Sequence, residues 1–288
     1  MKNMVMWVLV LLALGFVQAE VSADYIPPVF PGTGPYQRVY SSTGYSYMAA
    51  NVYLPGSSQI RMVGNDTAFV YAGGWGNSNG AGAVDAGFQY SKTFNNWALF
   101  ASGAGNSQTG PTNGDRFSAS ETVSLSFAVV ASGTLGFVNL VVTATGLDGG
   151  NFSNGYTGNG QIINESVTLL VNTANQGWSV GSLNQNTLKR MTSIGQSPQN
   201  LTDGSYINGV VWSNVILGQT THDAVAWTGG GSQSYPGTPG VVTVNYVDAA
   251  NETDSISLVS VPEPQSWAML ATAQVFGLGY YGWRQRRE

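Results

Sequence analysis

The chain has no cysteine in its 288 residues and a single histidine, His222. Without cysteine there are no disulfides and no thiol nucleophile. A zinc site takes several Cys or His ligands, so zinc is not expected. Charge is scarce as well. Only 9% of residues are Asp, Glu, Lys or Arg, with 10 cations, 15 anions and a formal net charge of −5. Between residues 24 and 260 the cations are Arg38, Arg61, Lys92, Arg116, Lys189 and Arg190, against twelve anions and a net of −6. Nothing gathers into a basic patch, which argues against a nucleic-acid partner. Nor does that stretch hold a convincing amphipathic helical pattern. With 38 glycines and 43% hydrophobic residues, the chain is not a disordered one. It suits an extracellular β protein with a surface of Ser, Thr, Asn and Gly.

What the chain does have is an apolar run at each end. Lys2 precedes an apolar stretch over residues 4–17. Both Val17-Gln18-Ala19 and Val21-Ser22-Ala23 fit the small-residue rule for signal-peptide cleavage, with cleavage after Ala23 preferred. At the other end, residues 267–283 carry no charged side chain. As a helix these seventeen residues span about 25 Å, close to the roughly 30 Å of a bilayer's hydrocarbon core. Trp267 lies at one end and Tyr280, Tyr281 and Trp283 at the other, as rings at two membrane interfaces do. Arg284, Arg286 and Arg287 follow at once, which orients such a helix from outside to inside. Pro262-Glu263-Pro264 then faces outward, and its prolines favour an extended conformation that a processing enzyme could grip.

The motif, span and arginine cluster, in that order at the extreme C-terminus, resemble the PEP-CTERM sorting signal of Gram-negative bacteria that make exopolysaccharide. The resemblance covers residues 261–288. It implies that an exosortase in the inner membrane recognises Pro262, Glu263 and Pro264 and removes the tail. It also implies release to the cell surface or the extracellular matrix, with exopolysaccharide as a possible partner. A Leu-Pro-x-Thr-Gly motif of the sortase type is absent.

The middle of the chain, residues 24–260, reads as one all-β domain. Residues 24–36 hold Pro27, Pro28, Pro31 and Pro35 and read as an extended lead-in. In 45–54, Met48, Ala50, Val52 and Leu54 share one face. The clearest strand is 121–130, where Val123, Leu125, Phe127 and Val129 alternate with polar residues. Residues 137–145 repeat the pattern, and Gly133 lies in the turn of the hairpin they make. Further strands are expected near 59–63, 67–71, 83–90, 97–101, 162–171, 188–194, 206–217, 224–227, 241–247 and 255–259. Residues 73–80 and 102–115 read as loops. About a dozen short strands with regular turns predict an antiparallel β-sandwich or jelly roll, flanked by an N-terminal signal helix and a C-terminal transmembrane helix. The phrases Val84-Asp85-Ala86-Gly87-Phe88-Gln89-Tyr90 and Lys189-Arg190-Met191-Thr192-Ser193-Ile194 resemble concanavalin-type jelly-roll domains of secreted bacterial proteins. That resemblance carries no site residues.

Candidate chemistry is thin, and no catalytic residue is expected. His222, in Thr221-His222-Asp223, reads as a solvated turn residue rather than part of a triad. A glycosidase, the one enzyme class that fits such a fold, sets two carboxyls about 5–10 Å apart. The strand motif Glu-x-Asp-x-x-Glu is absent, and Glu121 and Glu165 read as solvated strand ends. Oxygen-rich segments at 65–66, 113–115, 148–151 and 251–254 could hold a structural Ca²⁺, although Asp, Asn and Gly are also the commonest turn formers. No metal or other cofactor is otherwise expected. Trp75 and Trp178 lie beside glycines in polar segments and are the better candidates for exposed rings that stack on sugars; Trp212 lies in a strand and reads as core. The sequence therefore predicts an exported, non-enzymatic envelope or matrix protein. The alternatives are a carbohydrate-binding module and a polysaccharide-active enzyme.

Overall fold

The computed structural model describes residues 34–77, 80, 82–110, 114–151 and 157–258. Ala23, Pro262, Glu263, Pro264, Arg284, Arg286, Arg287 and both expected flanking helices lie outside the described residues. Among the described residues no helix is long and apolar enough to cross a membrane.

Seventeen strands occur among the described residues. In chain order they are β1 (Tyr36–Thr43), β2 (Tyr47–Leu54), β3 (Ile60–Arg61), β4 (Thr67–Trp75), β5 (Val84–Ser91) and β6 (Asn96–Gly103). Then come β7 (Asn106–Thr109), β8 (Asp115–Ser118), β9 (Glu121–Ala131), β10 (Phe137–Asn151) and β11 (Ile162–Asn172). After a one-turn helix, α1 (Thr173–Gln176), follow β12 (Thr187–Gly195), β13 (Tyr206–Gly218), β14 (Val225–Ala226), β15 (Gly231–Tyr235), β16 (Val242–Asp248) and β17 (Asn251–Ser257).

Every pairing is antiparallel, and the pairings make two layers. The first runs β15-β1-β12-β4-β5-β6-β8. The second runs β11-β10-β9-β2-β13-β17-β16. Strand β10 joins them. Its first part pairs with β9 and β11, and its end, from Asp148 to Asn151, pairs with β8 of the first layer. One edge of the sandwich is thereby closed.

Period-two alternation builds the core between the layers. On β9, Val123, Leu125, Phe127 and Val129 point in and are at most 4% exposed. On β10, Val138, Leu140, Val142 and Ala144 do the same. The β9–β10 hairpin has the expected partners, with Leu140 opposite Val129 and Val142 opposite Phe127. Buried tryptophans fill the space and each finds a partner for its N–H, as a desolvated donor must. Trp97 donates to Pro55 O at 3.0 Å, Trp178 to Gly82 O at 2.6 Å and Trp227 to Gly229 O at 3.0 Å.

The interior also holds a polar seam where β12 and β1 of the first layer face β17 of the second. Arg190, fully buried, meets Glu252 at 3.0 Å and donates to Ala249 O from Nε and Nη2. Gln37 donates to Glu252 at 3.1 Å and to Ser232 at 2.9 Å. Trp212 N–H donates to Thr192 at 3.2 Å, and Thr192 donates to Asp254 at 2.6 Å. Burial, then the neighbouring Glu252, pushes the Asp254 carboxyl well above the usual carboxylate range. Among the described residues Asp254 Oδ1 and Glu252 Oε2 have no hydrogen-bond partner, and the raised Asp254 carboxyl holds its proton beside Glu252.

The structure departs from the sequence expectation in two places that matter for the site. Residues 36–43, which the sequence reading leaves without an assignment after the lead-in of 24–36, form the full strand β1. Residues 73–75, expected in a loop, complete β4.

Candidate functional site

The outer face of the first layer carries a second, separate apolar cluster of Tyr36, Tyr71, Phe100 and Met191, with Phe69 and Tyr235 against it. Its origin is alternation. On β4, Ala68, Val70 and Ala72 point into the core, so Phe69, Tyr71 and Trp75 point out. On β12, Leu188 and Ile194 point in, so Lys189 and Met191 point out. Between these side chains lies a cavity of about 330 Å³. Glycine makes room for it. Gly87 of β5 sits between Tyr71 and Phe100 in the ladder, and a Cβ there would lie 2.6 Å from Tyr71 Cα. Gly73 lets β4 and β5 close up, because a Cβ would lie 2.0 Å from Val84 O and its φ of 145° suits glycine.

Among the described residues, two cations and one carboxylate line this cavity, beside aromatic rings and the hydroxyls of Ser102 and Ser193. Lys189 Nζ is 2.5 Å from Asp85 Oδ1 and 4.6 Å from the centroid of the Trp75 ring. The Arg38 guanidinium lies 5.4 Å from the Trp75 ring and 5.1 Å from the Tyr36 ring, and it donates to Gln233 Oε1. Arg38 is 2% exposed and Lys189 5%, whereas the Asp85 side chain is 43% exposed and marks the mouth. Aromatic faces offset part of the cost of desolvating the cations. The Tyr71 hydroxyl donates to Met191 S at 2.9 Å. Burial, then Asp85, pushes that phenol well above its ordinary value, so Tyr71 stays neutral.

Trp75 and Trp178 are not the exposed rings that their polar surroundings suggest. Trp178 is 0% exposed and packs on Phe127 with ring centroids 5.8 Å apart, inside the core and not in the cavity. Trp75 does line the cavity, but it is 2% exposed and lies against the two cations. Trp212 is core, as expected.

The other candidates fall elsewhere. His222 is exposed in a turn that Asp223 organises by accepting from Gln219 N and from Thr220 N and Oγ1. Glu121 is not a solvated strand end: both carboxyl oxygens accept from Leu147 N, at 3.0 and 3.1 Å, and burial pushes its pKa up to about 7. Glu165 lies on edge strand β11, opposite Ala144. Of the oxygen-rich segments, Asp66 accepts from Ser205 and Gln196, Asp148 from Gly150 N and Asn159 N, and Glu252 and Asp254 belong to the interior seam. Among the described residues no three His, Asp or Glu side chains are grouped to hold a metal ion. The nucleophile motif Gly-x-Ser-x-Gly does occur, at Gly76-Asn77-Ser78-Asn79-Gly80. It links strands β4 and β5 instead of leading a strand into a helix, and Ser78 lies outside the described residues.

The residues that sequence reasoning missed are Arg38, Tyr71, Asp85 and Lys189. The signal was present in the adjacent cations Lys189-Arg190 within an apolar strand. Alternation forces one of such a pair outward and one inward, and each then needs its own partner.

No protein-family model and no curated protein matches the chain. Among solved structures, two of scytalido-glutamic peptidase are similar, one with a peptide-based transition-state analogue and one with a transition-state analogue inhibitor. Their TM-scores are 0.46 and 0.48 at 10% and 11% sequence identity, over 80% of this chain and 100% of the peptidase. Both are structures of an enzyme, and the expectation of a non-enzymatic protein is corrected to that extent. At these scores the likeness transfers no reaction and no residue role.

Proposed function

We propose that the chain is an exported cell-envelope or matrix protein whose jelly-roll domain holds a sugar residue of the surrounding exopolysaccharide in the outer-face cavity. A signal peptide ending at Ala23 takes it out. The C-terminal helix holds it in the inner membrane with Arg284, Arg286 and Arg287 inside, and an exosortase cuts near Pro262-Glu263-Pro264. The observation that carries the glycan reading is the cavity, where aromatic walls meet a few fixed polar groups, as in small-ligand sites generally. Its volume of about 330 Å³ lies at the small end of the roughly 300–1,000 Å³ typical of small-ligand pockets. Its position argues against an extended peptide. Peptides commonly add a strand to a sheet edge, whereas this cavity lies over β1, β12, β4, β5 and β6, whose backbones already pair with one another.

Fractionating a host that has an exosortase and makes exopolysaccharide tests both halves, with wild type compared to Ser102→Trp, which fills the mouth. The wild-type chain is expected to end near Pro264 by intact mass and to co-purify with the polysaccharide. S102W is expected to be cut equally but to stay out of the polysaccharide fraction. Full-length chain in the inner membrane overturns the sorting half. Equal recovery of both variants with the polysaccharide overturns the cavity half.

A further inference from the structure

We infer that the cavity reads a pyranose by two adjacent free hydroxyls, one donating to Asp85 and the other accepting from Lys189. The C–H face of the same ring lies on Tyr71 and Phe100. This rests on the glycan reading above. The strand registers lay out the cavity floor in rows. Met191, Tyr71, Gly87 and Phe100 lie side by side across β12, β4, β5 and β6. Two residues away along each strand, Lys189, Gly73, Asp85 and Ser102 form the next row. Alternate residues of a strand share a face, so both rows point outward and lie about 6.7 Å apart.

The two rows differ in character. The first is apolar apart from the Tyr71 hydroxyl, and that hydroxyl already donates to Met191 S. The second is polar. Each row holds one glycine, so no side chain of the row stands between Tyr71 and Phe100, or between Lys189 and Asp85. Lys189 and Asp85 meet over Gly73, with Nζ 2.5 Å from Oδ1. The floor is thus an apolar strip beside a hydrogen-bonding strip. A pyranose has the same division, with a flat C–H face and a rim of hydroxyls.

The ion pair suits hydroxyls for a chemical reason. A carboxylate only accepts, an ammonium only donates, and a hydroxyl does both. Asp85 Oδ1 is shielded from water beside Lys189, yet the Asp85 side chain is 43% exposed, so Oδ2 is the oxygen open to the mouth. Lys189 keeps two N–H groups besides the one turned to Asp85. Neighbouring ring hydroxyls are about a hydrogen bond's length apart, as the two charged ends are, so one meets Oδ2 while the next meets Nζ. The pair stays whole throughout, and both new bonds are charge-assisted. An ether in place of the first hydroxyl removes the proton that Asp85 accepts.

Titration calorimetry of residues 24–260 tests this with oligosaccharides released from the host's exopolysaccharide, native and fully O-methylated. The proteins are wild type, Asp85→Ala and Lys189→Met, and thermal melts check that each is folded. Methylation keeps the ring and its C–H face but removes every O–H donor. Wild type is expected to bind the native oligosaccharide about tenfold or more tightly than the methylated one, the scale of one hydrogen bond to a charged group. D85A should lose that margin while holding the methylated oligosaccharide as wild type does, and K189M should weaken the native one about tenfold. Equal binding of the two by wild type overturns the hydroxyl assignment and leaves the glycan reading standing. Native binding that both folded variants leave unchanged does the same. A margin that persists in D85A traces to the bulk of the methyl groups and also overturns it. Absence of binding of either oligosaccharide to wild type overturns both readings.

Discussion

Arg190→Met lowers the unfolding free energy of residues 24–260 by about 3–5 kcal/mol, the cost of leaving one partner of a buried ion pair uncompensated. Glu252 is then left at 2% exposure with the Gln37 amide and the protonated Asp254 beside it. Most of that loss returns in the double variant Arg190→Met/Glu252→Leu, because removing both charges removes the desolvation cost along with the attraction. Urea unfolding of the three proteins measures both effects. A loss below about 1 kcal/mol in the single variant means that water reaches the seam and the pair is screened, as surface pairs are. Asp254→Asn provides the pH control. The folded chain keeps a proton on Asp254 that the unfolded chain releases above about pH 4, so this group's contribution is full below that pH and falls as pH rises toward the raised folded value. D254N flattens that part of the pH profile.

Trp178→Ala is expected to cost about 3–5 kcal/mol as well, through the cavity left by a large core side chain. Trp178 is 0% exposed, packs on Phe127 and donates to Gly82 O. The surrounding chain is shaped to admit it. Cβ atoms at Gly76 and Gly82 would lie 2.1 and 2.4 Å from Gln176 O, so the β4–β5 connection lies directly against the end of α1. Trp178→Phe refills most of the volume but leaves Gly82 O without its donor, and is expected to cost about 1–3 kcal/mol. Denaturant midpoints order the three proteins as wild type, W178F, W178A. A W178A protein as stable as wild type would return this ring to the surface, where its polar neighbours in the sequence suggested it belongs.

Legibility in the sequence followed burial. Strands β2, β9 and β10 each have one face on the core and one toward solvent or a polar neighbour, so their alternation shows both strand and facing. Strands β1 and β12 are buried on both faces, because the outer cavity covers the side turned away from the core. Alternation vanishes there, and β1 also follows a proline-rich stretch. Arg38 thus lies just past the expected lead-in of 24–36, in residues that no sequence pattern marks as a strand. Asp85 and Lys189 stood in the two phrases that resemble jelly-roll strands, yet their meeting across β4 depends on pairings that no local pattern encodes. Trp178 was misplaced for the opposite reason. Its neighbours, Asn175, Gln176, Gly177 and Ser179, are polar because they cap and turn the chain at α1, whose N-cap Asn172 accepts from Ala174 N and Asn175 N. The ring itself points back into the core.

The most direct test is an NMR titration of isotope-labelled residues 24–260 with oligosaccharides released from the host's exopolysaccharide, following backbone amides and tryptophan indole N–H signals. A ligand in the outer-face cavity moves the Trp75 indole and the amides of residues 36–40, 71–75, 85–87 and 189–193, while β16 and β17 on the other layer stay in place. Shifts gathered on β9, β10 and β11, with the Trp75 indole unmoved, would contradict the assignment of the cavity as the glycan site.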